Sequence, residues 1–192
     1  MNFHTLKLPQ ALAITALIFI ADQVSKWFVV EQIIKPLALP DRTDPSAMPF
    51  IAWLLHARDP MPFAQDQILP FFNLVMVWNK GVSFGIFNNH GASGPLLLTI
   101  LAIAIVTMFL IWMVRSPSGL VRLSIAMIIG GALGNVVDRL RFGAVADFLD
   151  FHLGNLHWPA FNLADSTICL GIAMLLIHSL FFDTQKKQAA SQ

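Results

Sequence analysis

The chain has 192 residues, of which 56% are hydrophobic and only 12% charged, about half the ~25% charge of an ordinary soluble domain. Lys+Arg 12 against Asp+Glu 11 leaves no basic field for nucleic acid, and a single cysteine excludes both a disulfide framework and a cysteine-based zinc site. One core of this size cannot absorb so much apolar sequence, so the surplus needs lipid and the chain reads as a polytopic membrane protein.

The first apolar stretch covers about 8–30. Lys7 precedes it as in a secretory signal, but Asp22, Lys26 and Trp27 occupy the place of a small-residue cleavage site, so it is read as a retained span. A long connection, about 31–94, follows. Residues 36–49 (PLALPDRTDPSAMP) have loop composition, and Phe50 to Leu55, with Trp53, suits an interfacial segment. Residues 71–78 (FFNLVMVW) and 82–87 (VSFGIF) are β-prone, with Asn79–Lys80–Gly81 supplying turn chemistry between them.

The second span, 95–114, is twenty residues without a charge, enough at ~1.5 Å per residue to cross a ~30 Å hydrocarbon core. The third, 121–138, is short and bounded by Arg122 and Asp138. Its Ala126, Gly130 and Gly134 form a small-residue stripe suited to close helix packing. The connection 139–161 holds a second β-prone stretch, Ala144 to Phe151, before Gly154–Asn155. In the fourth span, 162–182, Asn162 and Asp165 stand at capping-box spacing. Cys169 within it is read as inert packing and His178 as structural. The expected fold is an all-α polytopic membrane protein: four transmembrane helices with a small extracytoplasmic sheet, one domain over 1–192.

Charge orients the spans. An even count puts both termini on one side, with Lys7, Arg115, Arg122, Lys186 and Lys187 and only Asp183 as an acid. The positive-inside rule makes that side cytoplasmic, and the two long connections then face outward.

Asp22, Asn79, Asn135, Asp138, Arg139, Asp147, Asn162 and Asp165 map to one outer layer. Polar groups near bilayer depth are costly to desolvate, which favours function. Each also has a plain structural role: a cap for Asn162 and Asp165, an ion pair with Arg139 or Lys26 for Asp138 at an unfavourable helix C-terminus. Their common depth favours a site. Asp147 and Asp165 have the makings of an acid–base pair. They are eighteen residues apart, so a return of the loop onto the last helix must join them. Two carboxylates in a low-dielectric site share one proton; the ionised member activates water and the protonated one polarises a carbonyl. The helix N-terminus favours Asp165 as the anion. No HExxH or zinc-helix histidine spacing, no GxSxG and no phosphate-cradling glycine loop occurs. No metal or cofactor is expected.

Five runs then stand out together: Asp22–Gln23–Val24–Ser25–Lys26–Trp27, Asn79–Lys80–Gly81–Val82–Ser83–Phe84–Gly85, Gly134–Asn135–Val136–Val137–Asp138–Arg139, Gly143–Ala144–Val145–Ala146–Asp147–Phe148 and Phe161–Asn162–Leu163–Ala164–Asp165. In order and placement, over about 20–172, the chain resembles the lipoprotein signal peptidase (signal peptidase II) family. The resemblance implies a metal-independent aspartic endopeptidase of the bacterial inner membrane. Such enzymes remove signal peptides from diacylglyceryl-modified prolipoproteins, cutting just before the lipidated cysteine. It implies a four-helix fold with an extracytoplasmic β-cradle. Asp147 and Asp165 match the catalytic pair. Asn79, Asn135, Arg139 and Asn162 match positions that hold the substrate backbone or the dyad, and Asp22 and Lys26 match a supporting motif. Gly81, Asp138 and Ala164 lie in the same motifs and are counted with the site. The implied partners are lipidated prolipoproteins and membrane lipid, with the enzyme acting as a monomer. The stretch from Ile34 to Phe71 is longer than the family pattern. A small proton- or ion-coupled transporter would also use intramembrane acids, but there is no inverted repeat and the acids cluster at one end, away from the midplane. A structural membrane subunit explains the spans and leaves the acids unexplained.

Overall fold

The computed structural model describes residues 6–40, 47–56, 60–81 and 93–183. Among them, four helices are long and apolar enough to cross a membrane: Leu8–Ala38, Gly94–Arg115, Gly119–Phe142 and Leu163–Phe181.

Helix α1 (Leu8–Phe28) begins with a proline in its first turn, where the missing N–H costs nothing, and the Lys7 N–H donates to Gln10 Oε1 at 2.9 Å. The span expected to stop near residue 30 instead continues through a π-helical turn (Val29–Ile34) and a last helical turn to Ala38. Two things sustain this extension. Glu31 and Lys35 neutralise each other at 2.8 Å, one turn apart. Val29, Val30 and Ile34 form a core with Ala64, Leu74, Met76, Ala146 and Phe148 of the sheet region. The extra turns are thus the sheet's platform.

A short helix α2 (Phe50–Leu55) follows. Trp53, expected to face the headgroups, is 1% exposed. It packs against Phe50 and Phe142 under the Arg141 guanidinium, which stands 4.1 Å from its ring centroid.

The sheet is antiparallel throughout, in the order β1 (Gln65–Leu69), β2 (Phe72–Asn79), β3 (Val145–Leu153), β4 (Leu156–His157). The second β-prone stretch of the sequence is therefore β3. The expected hairpin between 71–78 and 82–87 is not the one described: β2 turns back on β1, and 82–92 lies outside the described residues. Strand β1 (QDQIL) is an exposed edge, and its polar composition carries no core-facing signal for a sequence reading to detect.

Helices α3 (Ser93–Arg115), α4 (Gly119–Phe142) and α5 (Leu163–His178) complete the bundle, with α4 touching α1, α3 and α5. The small-residue stripe makes this possible. A Cβ on Gly130 would meet the Thr15 carbonyl at 2.8 Å, and one on Gly134 would meet Asp22 Oδ2 at 2.2 Å. Helix α4 ends at Gly143, whose φ of 67° is the left-handed cap that turns the chain straight into β3. Cys169, expected to be inert packing, is a free thiol on an exposed face of α5 and does not pack into the bundle. His178 Nε2 lies 3.3 Å from Ser118 Oγ at the far end of the bundle from the sheet.

Candidate active site

The sheet and the bundle meet where β3 leaves α4 and where α5 begins. Asn162 is the N-cap of α5: its Oδ1 accepts from the Asp165 N–H at 3.0 Å, while Asp165 Oδ2 accepts from the Asn162 N–H at 3.3 Å. This is the capping box read from the sequence. The same Asn162 reaches beyond its helix. Its Nδ2 donates to Asp147 Oδ1 at 2.8 Å, to the Ala146 carbonyl at 3.3 Å and to Asn135 Oδ1 at 3.2 Å. Asn135 Nδ2 in turn donates to Asp165 Oδ1 at 2.8 Å. Two amides on two helices therefore tie both carboxylates into one cluster.

The pairing of Leu149 with Phe161 closes the loop that joins them, so strand and helix start are held side by side. Register places Val77 opposite Asp147, which puts Asn79, two residues on, on the same face. Asn79 also hydrogen-bonds the Asp147 carboxyl. Its own Oδ1 accepts from the Gly81 N–H at 2.8 Å, and Gly81, at φ 76°, forms the turn that orients it.

Beneath the two carboxylates lies a fully buried triad. Lys26 Nζ stands 2.8 Å from Asp22 Oδ2, 2.7 Å from Asp138 Oδ2 and 3.2 Å from Asn135 Oδ1. The ion-pair expectation for Asp138 thus holds with Lys26. Each acid spends a second lone pair on backbone next to these two carboxylates. Asp22 Oδ1 accepts from the Ala164 N–H at 2.9 Å, and Asp138 Oδ2 from the Ala146 N–H at 3.3 Å. Ala164 and Ala146 immediately precede Asp165 and Asp147, so one ammonium organises both supports. Gln23 completes the layer, with Nε2 at 3.1 Å from Asp22 Oδ2 and from Asp138 Oδ1, and Arg141 Nη1 donates to its Oε1 at 3.3 Å. In the sequence Gln23 stands out only as part of a motif and Arg141 not at all. Nothing local marks either one, because their partners are remote in the chain.

Asp147 is 1% exposed. Burial, reinforced by the Asp165 charge, pushes its carboxyl up to about 7, while hydrogen bonds from Asn79 and Asn162 and the charge of Lys26 pull the other way. Asp165 is only half-buried, at the helix N-terminus where the dipole favours an anion. Arg139 is half-buried and its charge acts on both carboxylates. Its Nη1 donates to the Asn135 carbonyl at 3.4 Å, and its Nε has no partner among the described residues. Asp150, further along β3, belongs elsewhere. Burial alone would raise its carboxyl, but Asn73 at 2.7 Å and His157 at 2.9 Å outweigh that and hold it below the usual range. Among the described residues no group of three or more His, Cys, Asp or Glu could hold a metal ion.

Against known proteins, the family model described as Signal peptidase (SPase) II matches residues 14–181. The chain belongs to the signal peptidase II family. A lipoprotein signal peptidase of Shewanella oneidensis is 37% identical over 177 residues, covering 91% of this chain and 88% of that protein. One from Rhodopseudomonas palustris is 44% identical over 133 residues, covering 67% and 80%. A solved structure of a bacterial membrane enzyme superposes with a TM-score of 0.64 at 22% identity, covering 95% of this chain and 99% of the other, which shows the fold. As a signal peptidase II family member the chain is a membrane hydrolase acting on peptide bonds, with four helices long and apolar enough to cross a membrane and a small antiparallel sheet. None of these relatives supports a transporter.

Proposed function

We propose that this peptidase is of the aspartic type, with Asp147 and Asp165 as its acid–base pair. Its substrates are diacylglyceryl-modified prolipoproteins, cut just before the lipidated cysteine. The observation that carries the reading is the meeting of two carboxylates eighteen residues apart on two linked amides, Asn162 holding Asp147 and Asn135 holding Asp165, with Asp147 raised to about 7. At neutral pH this favours one proton between two acids. Asp165, at a helix N-terminus, is the base that takes a proton from water as the oxygen attacks the scissile carbonyl. Asp147 gives its proton to the carbonyl oxygen, forming a neutral tetrahedral diol. Collapse breaks the C–N bond, the amine leaves with a proton from Asp165, and Asp147 is reprotonated from the diol.

Asn162, whose Nδ2 is committed to Asp147, Ala146 and Asn135, acts as holder of the dyad. Arg139, whose Nε has no partner among the described residues, is the group we assign to the substrate carbonyl. Asn135, Asn79 and Gly81 orient the carboxylates, while Asp22, Lys26, Asp138 and Ala164 fix the two backbone segments that carry them. The charge count favours cytoplasmic termini and an extracytoplasmic dyad in the bacterial inner membrane, where a lipid-anchored signal peptide reaches the site sideways from the bilayer. The monomer remains the working unit of this proposal. Cleavage of a diacylglyceryl-modified prolipoprotein by the wild type, and its loss in Asp147→Asn and Asp165→Asn, tests the assignment. Near-normal turnover in either variant removes that residue from the dyad.

A further inference from the structure

The longer first connection contributes α2, an element outside the five motifs, and its place in the molecule can be measured along two helices. Trp27 lies nineteen residues beyond Leu8 on α1, about 28 Å along the axis and close to the ~30 Å hydrocarbon thickness. Its ring meets Phe50 edge-on at 5.8 Å, and its Nε1 donates to the Met48 carbonyl at 2.7 Å. From the other side, Arg141 lies twenty-two residues beyond Gly119 on α4, about 33 Å along that axis. Its guanidinium stacks on Trp53, and its Nη2 donates to the Trp53 carbonyl. Two helices that run side by side in the same direction, Thr15 beside Ala126 and Lys26 beside Asp138, thus set α2 at one level, the hydrocarbon boundary on the dyad's side.

At that level α2 turns Trp53 inward and presents Ile51 and Leu55, one turn apart, at 62% and 77% exposure. The segment from Phe50 to Leu55 carries no charge. The exposed apolar face of α1 reaches the same height at Phe28, 52% exposed. We propose that α2 is an in-plane lipid contact: Ile51 and Leu55 insert among the upper acyl chains of the dyad-side leaflet and extend the lipid-facing surface of α1 beyond the spans. The occupant is the bilayer because the patch is apolar, sits at interfacial depth and joins a surface already in lipid.

The test uses the full chain with Cys169→Ala and one new cysteine, Leu55→Cys or Ile51→Cys, carrying an environment-sensitive fluorophore. It is reconstituted into phosphatidylethanolamine–phosphatidylglycerol vesicles. Leu101→Cys on the exposed face of α3 is the lipid reference and Gln67→Cys on β1 the water reference. Both α2 labels should be quenched more by nitroxides near the headgroup than by nitroxides deep in the acyl chains, with iodide quenching at most about a third of that at Gln67. Iodide quenching equal to that at Gln67, with no effect of nitroxide lipids, overturns the proposal. So does disulfide formation between Leu55→Cys chains at high lipid dilution, which would assign the patch to a second copy.

Discussion

Replacing Asp147 by Asn should destroy cleavage and, at the same time, stabilise the folded protein as pH rises. The amide keeps an oxygen for the Asn162 Nδ2, 2.8 Å away, so shape and this hydrogen bond survive. What disappears is an ionisation that the fold opposes. The carboxyl moves from 3.8 to about 7 on folding, roughly three units at ~1.36 kcal/mol each, or about 4 kcal/mol. Because the folded value lies above the unfolded one, this group's contribution is fully present below pH 3.8 and lost as pH rises through about 7. Between pH 5 and pH 8 the wild type should therefore lose about 3 kcal/mol that Asp147→Asn does not lose. At roughly 2–4 °C per kcal/mol for a chain of this size, the Tm gap between variant and wild type should widen by about 6–12 °C over that range. Thermal unfolding in detergent at pH 5, 6.5 and 8, beside turnover of a lipidated prolipoprotein at each pH, measures both effects. Parallel Tm curves would refute the burial argument. Activity reduced by much less than ~10²-fold would refute the acid role.

The wild-type pH profile should show kcat/KM falling with a slope near one as pH rises through about 7, since Asp147 must be protonated to act as the acid. A profile still rising at pH 8 would exchange the roles of the two carboxylates. Asp138→Asn removes one of the two anions on the fully buried Lys26 and weakens the hold on the Ala146 N–H, and should cost about 3–5 kcal/mol of stability. Asp66→Asn, on the edge strand β1, should stay within about 0.5 kcal/mol; a stable but inactive Asp138→Asn would move Asp138 among the reacting groups. A chelator should leave turnover unchanged, whereas inhibition reversed by zinc would point to a metal. A reporter fused after Gln192 should read cytoplasmic and one placed in 41–46, outside the described residues, extracytoplasmic; the opposite result for the C-terminal fusion overturns the orientation.

What the sequence determined by itself is what short-range physics controls. Spans follow from runs of apolar residues that must satisfy their own backbone in lipid, so 95–114 and its neighbours are visible without any partner. The Asn162–Asp165 cap closes within four residues, and β3 announces itself by composition. Motif order carried the family. The long-range pairings were decided only in three dimensions. Lys26 bridges acids from α1 and α4, Asp22 and Asp138 reach across to the amides of Ala164 and Ala146, and β2 chooses the polar edge strand β1 as its hairpin partner. The extension of α1 to Ala38 and the burial of Trp53 depend in the same way on surfaces supplied by the sheet and by Arg141. Local propensity cannot specify these, because desolvating a charge or an indole is tolerable only once a partner remote in sequence is already in place. The dyad is the clearest instance: two aspartates eighteen residues apart become a coupled pair only when the Leu149–Phe161 bridge folds the strand back beside the helix N-terminus, and burial at that junction raises Asp147.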